Sequence, residues 1–351
     1  MSAGKLPRGW SRAVMISGLA GVCVVVVGLA YWLFSSWGGS LSRDLQYLPD
    51  NCHIIGSLRI EQIRTSPSWN YLKTELSKEL AKDLPMETDQ FSSLVENLIG
   101  VPVDQVAQVI VGGTLGSDMT PDLVVVIRTN KPVTTSQIEG RKKELSFQKV
   151  SVGKHTVYAA SDVAFCVPEQ QVVLWAKSAD TFKKILERTG RPQISDGMQQ
   201  ALKQIDFSQS LALAINYKDL GAVLAQAAKS TGPVMFDVNE IFDFNWSLAT
   251  TYQIQLDKTI SLVSTAICRD KEAARESKVL ADAMLVLLKR LKIFSKELQD
   301  ILASYECNVS GTTATMKLTA TPEQLVGLVK NTKTKIDELR NRIQLPGPNP
   351  G

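Results

Sequence analysis

Val172–Leu186 reads VVLWAKSADTFKKIL, and Thr315–Val329 reads TMKLTATPEQLVGLV. Each passes from a strand-like run through a small polar cap, Ser178 or Thr321, into a helical pattern. Leu123–Lys143 and Ile260–Leu280 form a second matching pair: strand, polar turn, helix. The same order of elements at two places in one chain predicts an internal duplication.

Working outward, the first half opens with the strand His53–Ile60. Ser66 and Pro67 then start a helix running to about Leu84. A helix over Asp89–Ile99 follows, then strands Gln105–Leu115 and Asp122–Thr129, a helix Thr135–Leu145, and strands Phe147–Val152, His155–Ala160, Val163–Val167 and Val172–Lys177. Ala179–Arg188 closes the half as a helix. The second half opens with Ser210–Tyr217 and a helix Leu220–Lys229. Strands Asn245–Leu256 and Thr259–Cys268 precede one long amphipathic helix, Glu272–Leu302. A hairpin turns at Gly311-Thr312, and a last helix starts at Thr321-Pro322.

Strands adjacent in sequence and joined by short turns favour antiparallel pairing. The expected class is α+β: an N-terminal transmembrane helix followed by two tandem repeats, each an antiparallel sheet with helices packed on one face. The expected divisions are a tail 1–12, an anchor 13–37, a linker 38–47, repeat one 48–190, a join 191–204, repeat two 205–344 and a loose tail 345–351. Leu325, Val329, Thr332, Ile336, Leu339 and Ile343 of the last helix are spaced alternately four and three apart. That seam suits a helix lying on its own domain or a short coiled coil between two copies.

The anchor is read from thirty uncharged residues between Arg12 and Arg43. Ala13–Phe34 would reach roughly 33 Å as a helix, enough for a hydrocarbon core of about 30 Å. Lys5, Arg8 and Arg12 precede it, and Tyr31, Trp32 and Trp37 lie at its far end. The positive-inside rule places the N-terminus in the cytoplasm and the C-terminal bulk outside, a single-pass inner-membrane protein contacting the bilayer through Ala13–Phe34. A cleaved signal peptide has an apolar region of about 7–15 residues, shorter than this one, although Ser36, Gly38 and Ser40 would suit a peptidase. Leu19–Cys23 departs from a lipoprotein box at Val22.

Apolar residues make up 44% and charged residues 21%, a globular composition. Removing the three basic residues before the anchor from 39 leaves 36, against 35 acidic ones. A nearly neutral ectodomain argues against a nucleic-acid partner. Four cysteines follow the anchor: Cys52, Cys166, Cys268 and Cys307. None forms a C-x-x-C pair. They read either as buried small hydrophobes or as one or two disulfides, with Cys268–Cys307 the preferred pair.

The usual chemical constellations are absent. His53 and His155 each stand at a strand start with nothing to join them. Gly112-Gly113-Thr114-Leu115-Gly116 leads into Pro121 and another strand, whereas a phosphate cradle must lead into a helix and a nucleophile elbow needs strand–turn–helix. A hairpin turn or bulge is expected there. Asp118 and Asp122 lack the ligand spacing of an EF-hand. No catalytic, cofactor-binding or metal residue is assigned, and no cofactor is expected.

Tyr47-Leu48-Pro49-Asp50-Asn51, the following strand ending in Arg59-Ile60, Ser66-Pro67, and Val95–Gly113 (VENLIGVPVDQVAQVIVGG) together resemble a group of uncharacterised bacterial exported proteins with one N-terminal membrane helix. The resemblance covers residues 13–190. It implies topology and supplies no activity. The leading functional expectation is a membrane-anchored extracytoplasmic interaction or scaffold protein without catalysis, open to a protein partner or to self-association. The alternatives are a ligand-binding or sensing domain with its site between the repeats, and a hydrolase with an unrecognised site.

Overall fold

The structure, a computed structural model, describes residues 44–80, 96, 100–116, 121–141, 145–220, 247–290 and 295–343. The strands are β1 (Ile54–Arg59), β2 (Val106–Leu115), β3 (Pro121–Thr129), β4 (Gln148–Val152), β5 (His155–Ala159), β6 (Ala164–Glu169), β7 (Val172–Ala176), β8 (Leu211–Ile215), β9 (Ser247–Leu256), β10 (Ile260–Cys268), β11 (Glu306–Ser310) and β12 (Thr313–Ala320). The helices are α1 (Ile60–Thr65), α2 (Pro67–Leu80), α3 (Thr135–Arg141), α4 (Ala179–Leu186), α5 (Asp196–Gln204), α6 (Lys271–Arg290), α7 (Lys296–Ala303) and α8 (Pro322–Ile343).

The twelve strands among the described residues join one antiparallel sheet, in the order β11-β12-β10-β9-β8-β1-β2-β3-β7-β6-β5-β4. Two separate sheets were expected, and this corrects them to one. The seam is the β1–β8 pair, with Ile54 opposite Ile215 and Leu58 opposite Leu211. Read outward from the seam, β1-β2-β3-β7-β6 and β8-β9-β10-β12-β11 follow the same course. Half-sheets that ended at β8, buried along its whole length, and at the mostly buried β1 would leave exposed edges; pairing those strands with each other removes both.

Helices cover both faces of the sheet, a second correction to the expected class. Alternation along the strands assigns the faces. On one face Val124 and Val126, Leu174, Ala212 and Ala214 meet Phe182 of α4 and Met198 of α5. On the other, Ile127, Val173, Trp175, Leu211 and Leu213 meet Ile63 of α1, Leu72 of α2, Ile138 of α3 and Val326 of α8. Phe165 stacks on Tyr158 at 4.8 Å between ring centres and lies 5.2 Å from Trp175, a ladder across β5, β6 and β7. Burying each such side chain contributes about 1.5–3 kcal/mol. The long helix expected over Glu272–Leu302 is instead two, α6 and α7, with Ser295 accepting from the Leu298 N–H as the cap of the second.

The single-pass expectation is also corrected. Among the described residues no helix is long and apolar enough to cross a membrane. The stretch 13–37, like the helices expected at 89–99 and 220–229, lies outside the described residues or is described only in part. Among the described residues, no helix carries the inner-membrane, signal-anchor assignment.

Candidate functional site

Within the packing of the second face, the described residues form a strongly apolar, partly open recess of about 220 Å³ beneath the helices. Its floor is sheet: Leu211 of β8, Ile254 and Leu256 of β9, Ile260 and Leu262 of β10, Leu318 and Ala320 of β12. Its roof is helix: Ile63 of α1, Trp69 and Leu72 of α2, Ile301 of α7 and Leu325 of α8, with Leu58 of β1 at its side. Residues of the first half and the second half therefore share it.

Each wall arises from local sequence. The alternation of β10 and β12 aims Leu262 and Leu318 to the same side, since they are opposite one another in register. Pro67 starts α2, and the Trp69 N–H donates to the Ser66 hydroxyl, which fixes where Trp69 lies along the helix. Ser68 binds the carbonyl of Asp257 with both its hydroxyl and its N–H, tying α2 to the β9–β10 turn. At the far end Gly327 of α8 lies where a Cβ would meet the Glu297 side chain at 2.8 Å, so α7 and α8 approach closely there.

Several polar groups at the recess are already hydrogen-bonded. Ser210 accepts from the Leu256 N–H at 3.0 Å. The backbone of Thr319 exchanges two hydrogen bonds with the Ser304 hydroxyl, both 2.8 Å. No charged residue lines the space. The cavity thus has shape and apolarity to offer, and nothing that would orient an ion.

The residues singled out in the sequence fall elsewhere. His53 immediately precedes β1 and His155 begins β5, five strands apart and so roughly 24 Å across the sheet. His53 Nδ1 accepts from the Leu115 N–H at 3.1 Å. Burial holds both imidazoles below their ordinary pKa. Gly112 and Gly113 are not a turn: both lie inside β2, opposite Ile55 and Ile54. Asp122 accepts from the Thr181 hydroxyl, and Asp118 lies outside the described residues.

All four cysteines are free. Cys268 and Cys307 are kept apart because β12 runs between β10 and β11. Two strand spacings make roughly 9.5 Å, beyond the ~4.4–6.8 Å between Cα atoms that a disulfide spans. Burial pushes the thiols of Cys52 and Cys166 up to about 12 and that of Cys268 up to about 11, which leaves them protonated and inert. Among the described residues no group of three or more His, Cys, Asp or Glu gathers at metal-binding distance.

The leading motif Tyr47–Asn51 is a strap on the opposite face from the cavity. Arg188 donates to the carbonyls of Gln46 and Leu48 and to Asp50, and Tyr47 donates to Glu169 at 2.8 Å. Arg128 holds Asp44 through two bonds of 2.5 and 2.6 Å. Of the last helix's seam, Leu325 lines the cavity and Val329 is exposed. The side chains at 336, 339 and 343 lie outside the described set.

No family model matches the chain. The search of curated proteins likewise gave no match. Among solved structures, three crystal forms of TP0453 are similar. Form IV has TM-score 0.45 at 10% identity, covering 83% of this chain and 99% of that one. Form III has 0.44 at 8%, covering 81% and 96%. Form I has 0.42 at 9%, covering 81% and 95%. A likeness of that size supports no inference about what this chain does.

Proposed function

We propose that this chain is a non-catalytic binding module that holds a small neutral apolar ligand between its two halves. The observation that carries the reading is the 220 Å³ cavity, apolar throughout its side-chain lining apart from Ser210 and Thr319. The recess is partly open, and a fitting apolar occupant would take its lining out of water at about 25 cal/mol per Å² of apolar surface buried. Apolar cavities of about 150 Å³ stay dry and take up benzene, so one somewhat larger suits an alkylbenzene or a short acyl-like chain. With the Ser210 hydroxyl accepting from Leu256 and the Thr319 backbone bonded to Ser304, polar ligands would lose much of their hydration without replacement.

The test is titration of the full chain with n-butylbenzene, followed through the fluorescence of Trp69 with Trp69→Phe as the control. Saturable binding in about the micromolar to millimolar range is expected. Ala320→Leu, which fills the cavity from its floor, abolishes it, while Leu318→Ala, which widens the cavity, retains it. Binding that is absent in the parent chain, or unchanged in Ala320→Leu, overturns the reading.

A further inference from the structure

Four of the eight large apolar side chains that the described residues leave exposed lie on α6, so the exposure is concentrated and not scattered. Val279 is 68% exposed, Leu280 48%, Val286 49% and Leu287 43%. With the exposed Ala283 they occupy positions i, i+1, i+4, i+7 and i+8, one stripe of a helix. The opposite side of α6 already has its partner. Ala273 and Ala274 are buried against Ala266, Cys268 and Val309, and Ser277 is buried while Met284, Leu285 and Leu288 are half-buried. From Ala283 to Leu288 the helix is therefore apolar all round. A surface helix with one covered side has no need of that, whereas a helix covered on both sides does.

We infer that a second copy of this chain covers the stripe, through an antiparallel α6–α6 contact whose twofold axis passes at Ala283. The spacing of the stripe is symmetric about that residue. Val279 is then opposite Leu287 of the second copy, and Leu280 is opposite Val286. Glu276, seven residues before Ala283, is opposite position 290, an arginine seven residues after it. Such self-complementarity is what an isologous interface requires. A parallel arrangement would instead set Glu276 against Glu276. Alanine at the crossing point lets the two helix backbones approach. The stripe spans little more than two turns, below the area of a stable dimer, so the pairing is weak and concentration-dependent. None of the cavity lining comes from α6, so ligand uptake and self-association are read independently.

The full chain is measured by sedimentation velocity over a concentration series, and by oxidative cross-linking of Ala283→Cys and Lys289→Cys variants. Expected are a monomer–dimer equilibrium, a cross-linked dimer from Ala283→Cys well above the unsubstituted chain, and little from Lys289→Cys. Leu280→Glu with Leu287→Glu raises the dissociation constant at least about tenfold with an unchanged circular dichroism spectrum. Glu276→Arg weakens the dimer, and adding Arg290→Glu restores it. Equal cross-linking at both cysteine positions, or failure of the double charge exchange to restore pairing, overturns the inference. So does a different occupant: flotation with phosphatidylglycerol vesicles that the two glutamates abolish, with no Ala283→Cys cross-link.

Discussion

Gly112 has no side chain because Leu48 occupies the space where one would be. A Cβ there would come within 2.8–3.0 Å of three Leu48 side-chain atoms. Gly112→Ala is expected to destabilise the chain by about 1–3 kcal/mol in urea denaturation, through overpacking. With Leu48→Ala already present the same change costs less, because the two sites are in contact. The glycines were visible in the sequence and their reason was not, since Leu48 and Gly112 are 64 positions apart. Asp44 is fully buried against Arg128. Asp44→Ala leaves that guanidinium without its carboxylate and costs about 3 kcal/mol by the same measurement. His53 supplies a pH dependence. Burial lowers its folded pKa below 6.5, and its Nδ1 accepts a backbone hydrogen bond only when unprotonated. The unfolded state therefore binds the proton first. Its stabilisation is present above about pH 6.5 and lost as pH falls through the lower folded value. Melting temperatures from pH 7.5 down to 5 should fall more steeply in the parent chain than in His53→Gln; parallel curves would remove His53 as the source.

Helices and strands were legible to different depths. The strands expected over Gln105–Leu115 and Asp122–Thr129 match β2 and β3 within a residue, the second because Leu123–Ile127 is a continuous apolar run of the kind a strand buried inside a sheet carries. The continuous pattern from Glu272 to Leu302 concealed the division of α6 from α7. Both pieces are amphipathic, and the only local sign of a new start is Ser295 followed by Lys-Glu-Leu. Ser295→Ala should cost about 1 kcal/mol as a lost cap, and Ser178→Ala, whose hydroxyl accepts from the Thr181 N–H, about as much. The twin segments opened by Ser178 and Thr321 do precede helices at equivalent places after β7 and β12. Those helices part company afterwards: Phe182 and Ile185 of α4 pack on one face, while Val326 of α8 packs on the other. Side-chain pattern fixed the existence of the two helices, and only tertiary contacts chose the side on which each lies.

At the scale of the whole molecule, the β1–β8 pair makes one sheet of two similarly ordered halves. That pairing joins residues more than 150 positions apart, and no local pattern announces it. The same seam explains why the cavity could not be read from sequence. Leu58, Leu211, Leu262 and Leu318 are ordinary apolar strand residues in the chain, and they become a recess only where α2, α7 and α8 meet over the join. A site between the halves was expected as an alternative, without residues; the lining of the recess is set by the packing. Edge strands carry polar guards at both ends, Gln148, Lys149 and Ser151 on β4 and Glu306, Asn308 and Ser310 on β11, which limits sheet-to-sheet association and leaves α6 as the surface for a second copy. The central claim is that the space between the halves holds an apolar guest. Methyl NMR of the isoleucine- and leucine-labelled chain during titration with n-butylbenzene tests it most directly. Saturable shifts confined to Leu58, Ile63, Ile254, Leu262, Ile301 and Leu318 are the result expected; shifts spread over the α6 stripe, or none at these six methyl-bearing residues, would contradict it.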